Sequence, residues 1–145
     1  MPSRPPAPPQ RLDLPAELPR VAEVQALVEA ACEAADMPPG KTFKLSMAVE
    51  ELLTNVVTHG AARAGDRPVR MSATVGRAGD ALVVELSDDA PAFDPFKDAK
   101  AAALDASIDD RPIGGLGVHL VRTMVDEVTY AHRDGRNVVT LAMVV

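Results

Sequence analysis

Glu50-Glu51-Leu52-Leu53-Thr54-Asn55-Val56-Val57-Thr58-His59-Gly60 is the stretch on which the reading of this chain turns. Val49, Leu52, Leu53, Val56 and Val57 recur at the i, i+3, i+4, i+7 spacing of an amphipathic helix. Glu51, Asn55 and His59 stand four apart, so they stack on one stripe beside the apolar face. A carboxylate one turn from a carboxamide is an all-oxygen pair, the donor type that hard cations such as magnesium prefer. Taken alone, the same pair also suits a solvated helix edge.

Upstream of this stretch, Leu18, Val21, Val24, Leu27, Val28, Ala31 and Cys32 describe a helix from Leu18 to about Ala35, closed by Met37-Pro38-Pro39-Gly40. Thr42 is placed to cap the second helix, which is expected to run to His59 and stop at Gly60. Residues 1–10 form a proline-rich flexible tail, and Arg11 to Leu14 add a short edge strand before Pro15. Downstream the character turns extended. Val69 to Val75 alternates, Ala81 to Leu86 is β-branched and apolar, and Arg77 to Asp80 joins them as a hairpin. Asp98 to Leu104 is weakly helical, and a third helix runs from Val118 to about Asp126. Glu127 to His132 and Asn137 to Val145 close the chain as a second hairpin around Arg133-Asp134-Gly135-Arg136. This order predicts an α+β fold, a two-layer α/β sandwich whose mixed, mostly antiparallel sheet carries its helices on one face.

Composition narrows the function. The chain has 145 residues, enough for one domain over 11–145 that buries roughly two-thirds of its unfolded surface. With 47% hydrophobic, 25% charged and only 3% aromatic residues, the core must be built from Val, Leu, Ala and Met. A net charge of −6 argues against nucleic acid, whose phosphates need clustered Lys and Arg. The single cysteine, Cys32, has no disulfide partner within the chain and is expected to pack as a small apolar group. No apolar run approaches the ~20 residues of a membrane span, so a soluble cytoplasmic protein is expected.

Two further constellations follow the Glu/Asn stripe. Leu86-Ser87-Asp88-Asp89-Ala90-Pro91-Ala92-Phe93-Asp94-Pro95 ends a buried strand in carboxylates. Such a group accepts a hydrogen bond from an exocyclic amine, the edge that marks adenine, although Asp88 and Asp89 also suit the start of a turn. Gly114-Gly115-Leu116-Gly117 opens a helix, where glycines permit close backbone approach and free N–H groups attract phosphate. No Gly-Lys-Ser/Thr follows, which excludes a Walker loop, and no preceding strand supplies a Rossmann turn.

In that order the three segments resemble the GHKL ATPase superfamily with its Bergerat nucleotide fold, and within it the anti-sigma-factor serine kinases and their stand-alone relatives. Glu51 to Gly60 is similar to the family's asparagine box, Asp88 to Pro95 to its first glycine box, and Gly114 to Val121 to its second. The resemblance implies ATP and Mg2+ as cofactors, with Asn55 holding the magnesium that bridges the phosphates. Glu51 is implied as the general base toward a serine of a protein substrate, and Asp88 as the acceptor of the adenine amine. Ala90, Phe93, Gly114, Leu116 and the amides of Gly115 and Gly117 would line the nucleotide. Phe96 to Ile113 would be a lid, with Arg111 toward the phosphates. Implied partners are a STAS-domain antagonist, a sigma factor or other regulator, a PPM-type phosphatase and a second copy of the chain.

One position departs from the family: Ala90 stands where glycine is usual. Where that backbone takes a positive φ or presses on the purine, alanine costs about 1 kcal/mol or more and weakens ATP binding; the alternative is that the methyl is tolerated, as alanine is at many turn positions. Two function classes therefore follow, a protein serine kinase and a non-catalytic binding module of the same fold. A detached histidine-kinase catalytic half fits less well, for want of a dimerisation helix pair carrying a phosphoacceptor His. His59 is expected to cap its helix, His119 to face the lid or solvent, and His132 to lie on the surface.

Overall fold

The apolar columns of the two hairpins fold onto one face of a single sheet. The computed structural model describes residues 8–97 and 115–145. In chain order these are β1 (Gln10–Pro15), α1 (Leu18–Ala34), α2 (Pro39–Asn55), a π-helical turn (Val56–Gly60), α3 (Ala61–Arg63), β2 (Arg70–Ala78), β3 (Ala81–Asp88), α4 (Gly115–Met124), β4 (Glu127–Arg133) and β5 (Arg136–Val144). The strands lie in the order β1-β2-β3-β5-β4, and each described pairing is antiparallel.

Register explains where the core sits. Val75 faces Val84, Ala73 faces Leu86, and Leu141 and Val139 pair with Val84 and Leu86 from the other side. Because side chains alternate across a strand, this column points to one face, which α1, α2 and α4 cover. Val24, Val28, Leu45, Val49, Leu53, Val118 and Val121 meet it, all at 1% exposure or less. Cys32 is buried with them, and burial pushes its thiol above the ordinary range, the behaviour of a packed small hydrophobe. The last pair of the apolar column is polar, Asp88 opposite Asn137, and both side chains are buried.

Several boundaries differ from expectation for identifiable reasons. The second helix begins at Pro39, whose fixed φ suits the first helical position, so Thr42 lies inside the helix and caps nothing. That helix does not stop at Gly60. Gly60 is helical at φ −64°, and the chain passes through the π turn to Arg63. His59 consequently sits within the helix rather than at its end. The left-handed position that ends it is Gly65, at φ 66°. The hairpin tips are Gly79-Asp80 and Asp134-Gly135, the latter with φ of 53° and 74° at both residues, as a type I′ turn requires. Phe96, expected to begin a lid, is instead a core residue with the Arg122 guanidinium 4.8 Å from its ring centroid. The weak helix proposed for 98–104 lies outside the described residues. Gln10, placed in the tail by sequence, is the first residue of β1. Among the described residues no helix is long and apolar enough to cross a membrane.

Candidate functional site

The open end of the sheet, where β3 finishes and β5 begins, meets the end of α2 and encloses a cavity of about 30 Å3. Its floor is apolar, from Leu52, Leu53, Leu86 and Val139, and its polar wall carries Asn55, Asp88 and Asn137. Phe93 and Arg63 complete it on the outer side. Periodicity produces this arrangement: Asp88 is two residues beyond Leu86 on the core face of β3, and Asn55 is one helical turn past Glu51 on α2.

Asn137 organises the polar wall. Its Nδ2 donates toward Asp88 Oδ1 (2.9 Å), Ala90 O (3.1 Å) and Pro91 O (3.1 Å). Its Oδ1 accepts from the Phe93 N–H (3.0 Å) and the Tyr130 hydroxyl (2.6 Å). The Ala90 N–H also donates to Asp88 Oδ1, at 3.1 Å. Both of these hydrogen bonds to Asp88 thus land on one oxygen, which orients the carboxylate and turns Oδ2 away from them. Burial raises the Asp88 carboxyl above its ordinary range, while Asn137, the Ala90 amide and the charge of Arg63 act in the opposite sense. The neighbouring Asp89 does a different job. It fastens the loop to the start of β2, accepting from the Arg70 N–H at 2.8 Å, while Arg67 reaches its carbonyl at 2.7 Å.

Sequence reasoning passed over Asn137 and Arg63. The signal for Asn137 was present: Asn137, Val139, Leu141 and Met143 alternate, which sets a carboxamide on a core face where it must find partners. Arg63 had no comparable signal, since only the continuation of the helix beyond Gly60 brings it here. Its guanidinium lies 3.7 Å from the Phe93 ring centroid.

The remaining candidates divide. Ala90 is buried and its φ is not positive, so it stores no backbone strain. Its methyl fits because Gly60 faces it: a Cβ built on Gly60 would come within 3.2 Å of the Ala90 Cβ. Glu51 lies away from the cavity, against α4. A Cβ built on Gly117 would overlap the Glu51 carboxylate, so only glycine lets the two helices approach so closely. Burial first, and then the charge of Glu50, raise the Glu51 carboxyl above its ordinary range. Gly115 and Leu116 belong to the first turn of α4, whereas Arg111 and Gly114 lie outside the described residues. His119 is half-buried on α4 and His132 is exposed on β4.

For magnesium, the donor set can be tested. Among the described residues no three His, Cys, Asp or Glu side chains converge on a common point. A lone carboxamide oxygen at Asn55 fits a magnesium that keeps most of its coordination for phosphate oxygens and water, the usual habit of that ion.

Comparison with known proteins agrees with this geometry. A family model described as the histidine kinase-like ATPase domain matches residues 14–143. The chain is also 31% identical over 99 residues to the serine/threonine-protein kinase BtrW of Bordetella bronchiseptica (strain ATCC BAA-588 / NCTC 13252 / RB50), a match covering 68% of each chain. An apolar floor, an oriented buried aspartate and the Glu51/Asn55 helix, in a chain matched over nearly its whole length, place this protein in the histidine kinase-like ATPase family.

Proposed function

We propose that this protein is an ATP-dependent serine/threonine kinase that works as a partner switch. It phosphorylates a STAS-type antagonist and holds a sigma factor or another regulator when that antagonist is phosphorylated; a PPM-type phosphatase reverses the step. The observation that carries the reading is Asp88, buried at the base of the cavity with Oδ1 held by Asn137 and Ala90, and with Asn55 on the same wall.

In this scheme Asp88 Oδ2 accepts a hydrogen bond from the adenine amine, and Leu52, Leu86 and Val139 cover the ring. Asn55 would hold magnesium, which when bound would supply charge neutralisation for the phosphoryl transfer. Glu51 takes the proton of the substrate hydroxyl as that oxygen bonds to the γ-phosphorus and the bond to the ADP oxygen breaks. A carboxyl raised by burial is a stronger base once ionised, which suits this role. The Gly117 contact holds the Glu51 side chain beside the start of α4, where helix N–H groups favour phosphate. The φ of Ala90 is not positive, so backbone strain there gives no support to an inactive scaffold.

Incubation with labelled ATP, magnesium and an antagonist protein tests this directly. Transfer of label to a serine or threonine is expected, with at least a hundredfold loss in Glu51→Ala. Absence of transfer at saturating ATP overturns the kinase reading. Calorimetry then asks whether nucleotide binds at all.

A further inference from the structure

We propose that Asn137 is a positioning residue that makes the cavity select a 6-aminopurine over a 6-oxopurine, by fixing the Asp88 carboxylate as an acceptor. The inference rests on the reading of the Asp88 cavity as a site for a purine nucleoside triphosphate, and it names the residue that sets the choice of base.

The Asn137 carboxamide has one permitted orientation. Its Oδ1 lies 3.0 Å from the Phe93 N–H, a group that only donates. Its Nδ2 lies 3.1 Å from the carbonyls of both Ala90 and Pro91, groups that only accept. Turned over, the side chain would set N–H against N–H and oxygen against two carbonyl oxygens. The edge presented to Asp88 is therefore a donor. Strand pairing keeps it there, because Asn137 on β5 stands opposite Asp88 on β3.

A fixed donor constrains the carboxylate. Nδ2 donates to Asp88 Oδ1 at 2.9 Å, and the Ala90 N–H reaches the same oxygen at 3.1 Å. An oxygen facing two donors has no place for a proton of its own, so both contacts favour the ionised group, which accepts and does not donate. Burial of Asp88 pulls toward the protonated acid. Asn137 is the foremost influence against it, ahead of the Ala90 amide and the Arg63 charge, while Asp89 works with burial. An ionised carboxylate accepts from a 6-amino group and repels the oxygen of a 6-oxo group; a protonated one would donate to that oxygen and blur the distinction. Tyr130 acts one step further out. From β4 its hydroxyl donates to Asn137 Oδ1 at 2.6 Å, and hydrogen bonds in series polarise one another, which strengthens the Nδ2 donor.

Calorimetric titration of the full-length protein with ATP and with ITP, whose bases carry the amino and the oxo group, separates positioning from plain stability. A loss of fold weakens both ligands alike and leaves their ratio unchanged. Wild type is expected to bind ATP about tenfold or more tightly than ITP, the scale of a hydrogen bond to a charged group. Asn137→Ala should bring the two affinities within about threefold of each other. Tyr130→Phe, which removes one neutral donor from Oδ1, should narrow the wild-type preference about threefold. A folded Asn137→Ala protein that keeps the wild-type ratio overturns the proposal, as does a wild type with no preference for ATP. Should Asn137→Ala fail to fold, Tyr130→Phe decides, and an unchanged ratio there overturns it. If wild type binds neither nucleotide, the nucleotide reading itself falls, and the selectivity falls with it.

Discussion

Burial raises the Asp88 carboxyl, and the sign of that shift makes a prediction about stability. The folded state binds the Asp88 proton more tightly than the unfolded chain does. This residue's contribution therefore declines as pH rises through the interval between the ordinary aspartate value and the raised folded one. Above that interval the ionised, buried carboxylate is a standing cost to the fold. Asp88→Asn preserves an acceptor for Asn137 and for the Ala90 N–H. It is therefore expected to raise the melting temperature at pH 7 to 8 and to lose that advantage toward pH 3, while abolishing ATP binding. Melts across pH, paired with calorimetry, check both halves; an unchanged melting temperature at neutral pH would contradict the first. Asn137→Ala is the opposite case. It leaves Asp88, the Phe93 N–H and the Ala90 carbonyl short of partners inside the protein, and a loss of about 3 kcal/mol in a urea titration is expected.

At the scale of elements, two glycines set how closely helices approach the site, and they do so differently. Gly117 has the Glu51 carboxylate where its own side chain would be. Gly117→Ala should push α4 off α2, costing about 2 kcal/mol of stability and most of the phosphotransfer, measured by denaturation and by label transfer. Gly60 has the Ala90 methyl as its neighbour at 3.2 Å from an added Cβ. Gly60→Ala is expected to cost about 1 kcal/mol, and Ala90→Gly in the same chain should recover most of it. Additive losses in that double-mutant cycle would show that the two residues are not coupled. This pairing also explains how the chain accommodates alanine at position 90: space comes from the facing helix, not from an unusual backbone. The π turn Val56–Gly60 follows directly on Asn55, which lines the cavity, in keeping with the tendency of such turns to occur at functional sites.

Across the whole molecule, stability resides in the layer between sheet and helices. Leu141 and Leu45 sit at its centre, both fully buried, and truncation of either to Ala should cost about 3 kcal/mol by denaturant titration without altering which nucleotide is preferred. Local patterning was enough to determine most of this architecture. Period-3.6 and period-2 apolar spacing is imposed by burial on one face, so α1, α2 and both hairpins were legible from the residues, as were the Glu51/Asn55 stripe and Asp88 at a strand end. Tertiary structure alone decided the rest. A helix passes through Gly60 instead of ending there, and Ala90, thirty residues away, packs beside it. Asn137 becomes the hub of the site because strand register sets it opposite Asp88, and Arg63 reaches Phe93 only because the helix continues. Spacing along a chain encodes which face a side chain points to, but not what stands across from it; that depends on contacts between segments distant in sequence.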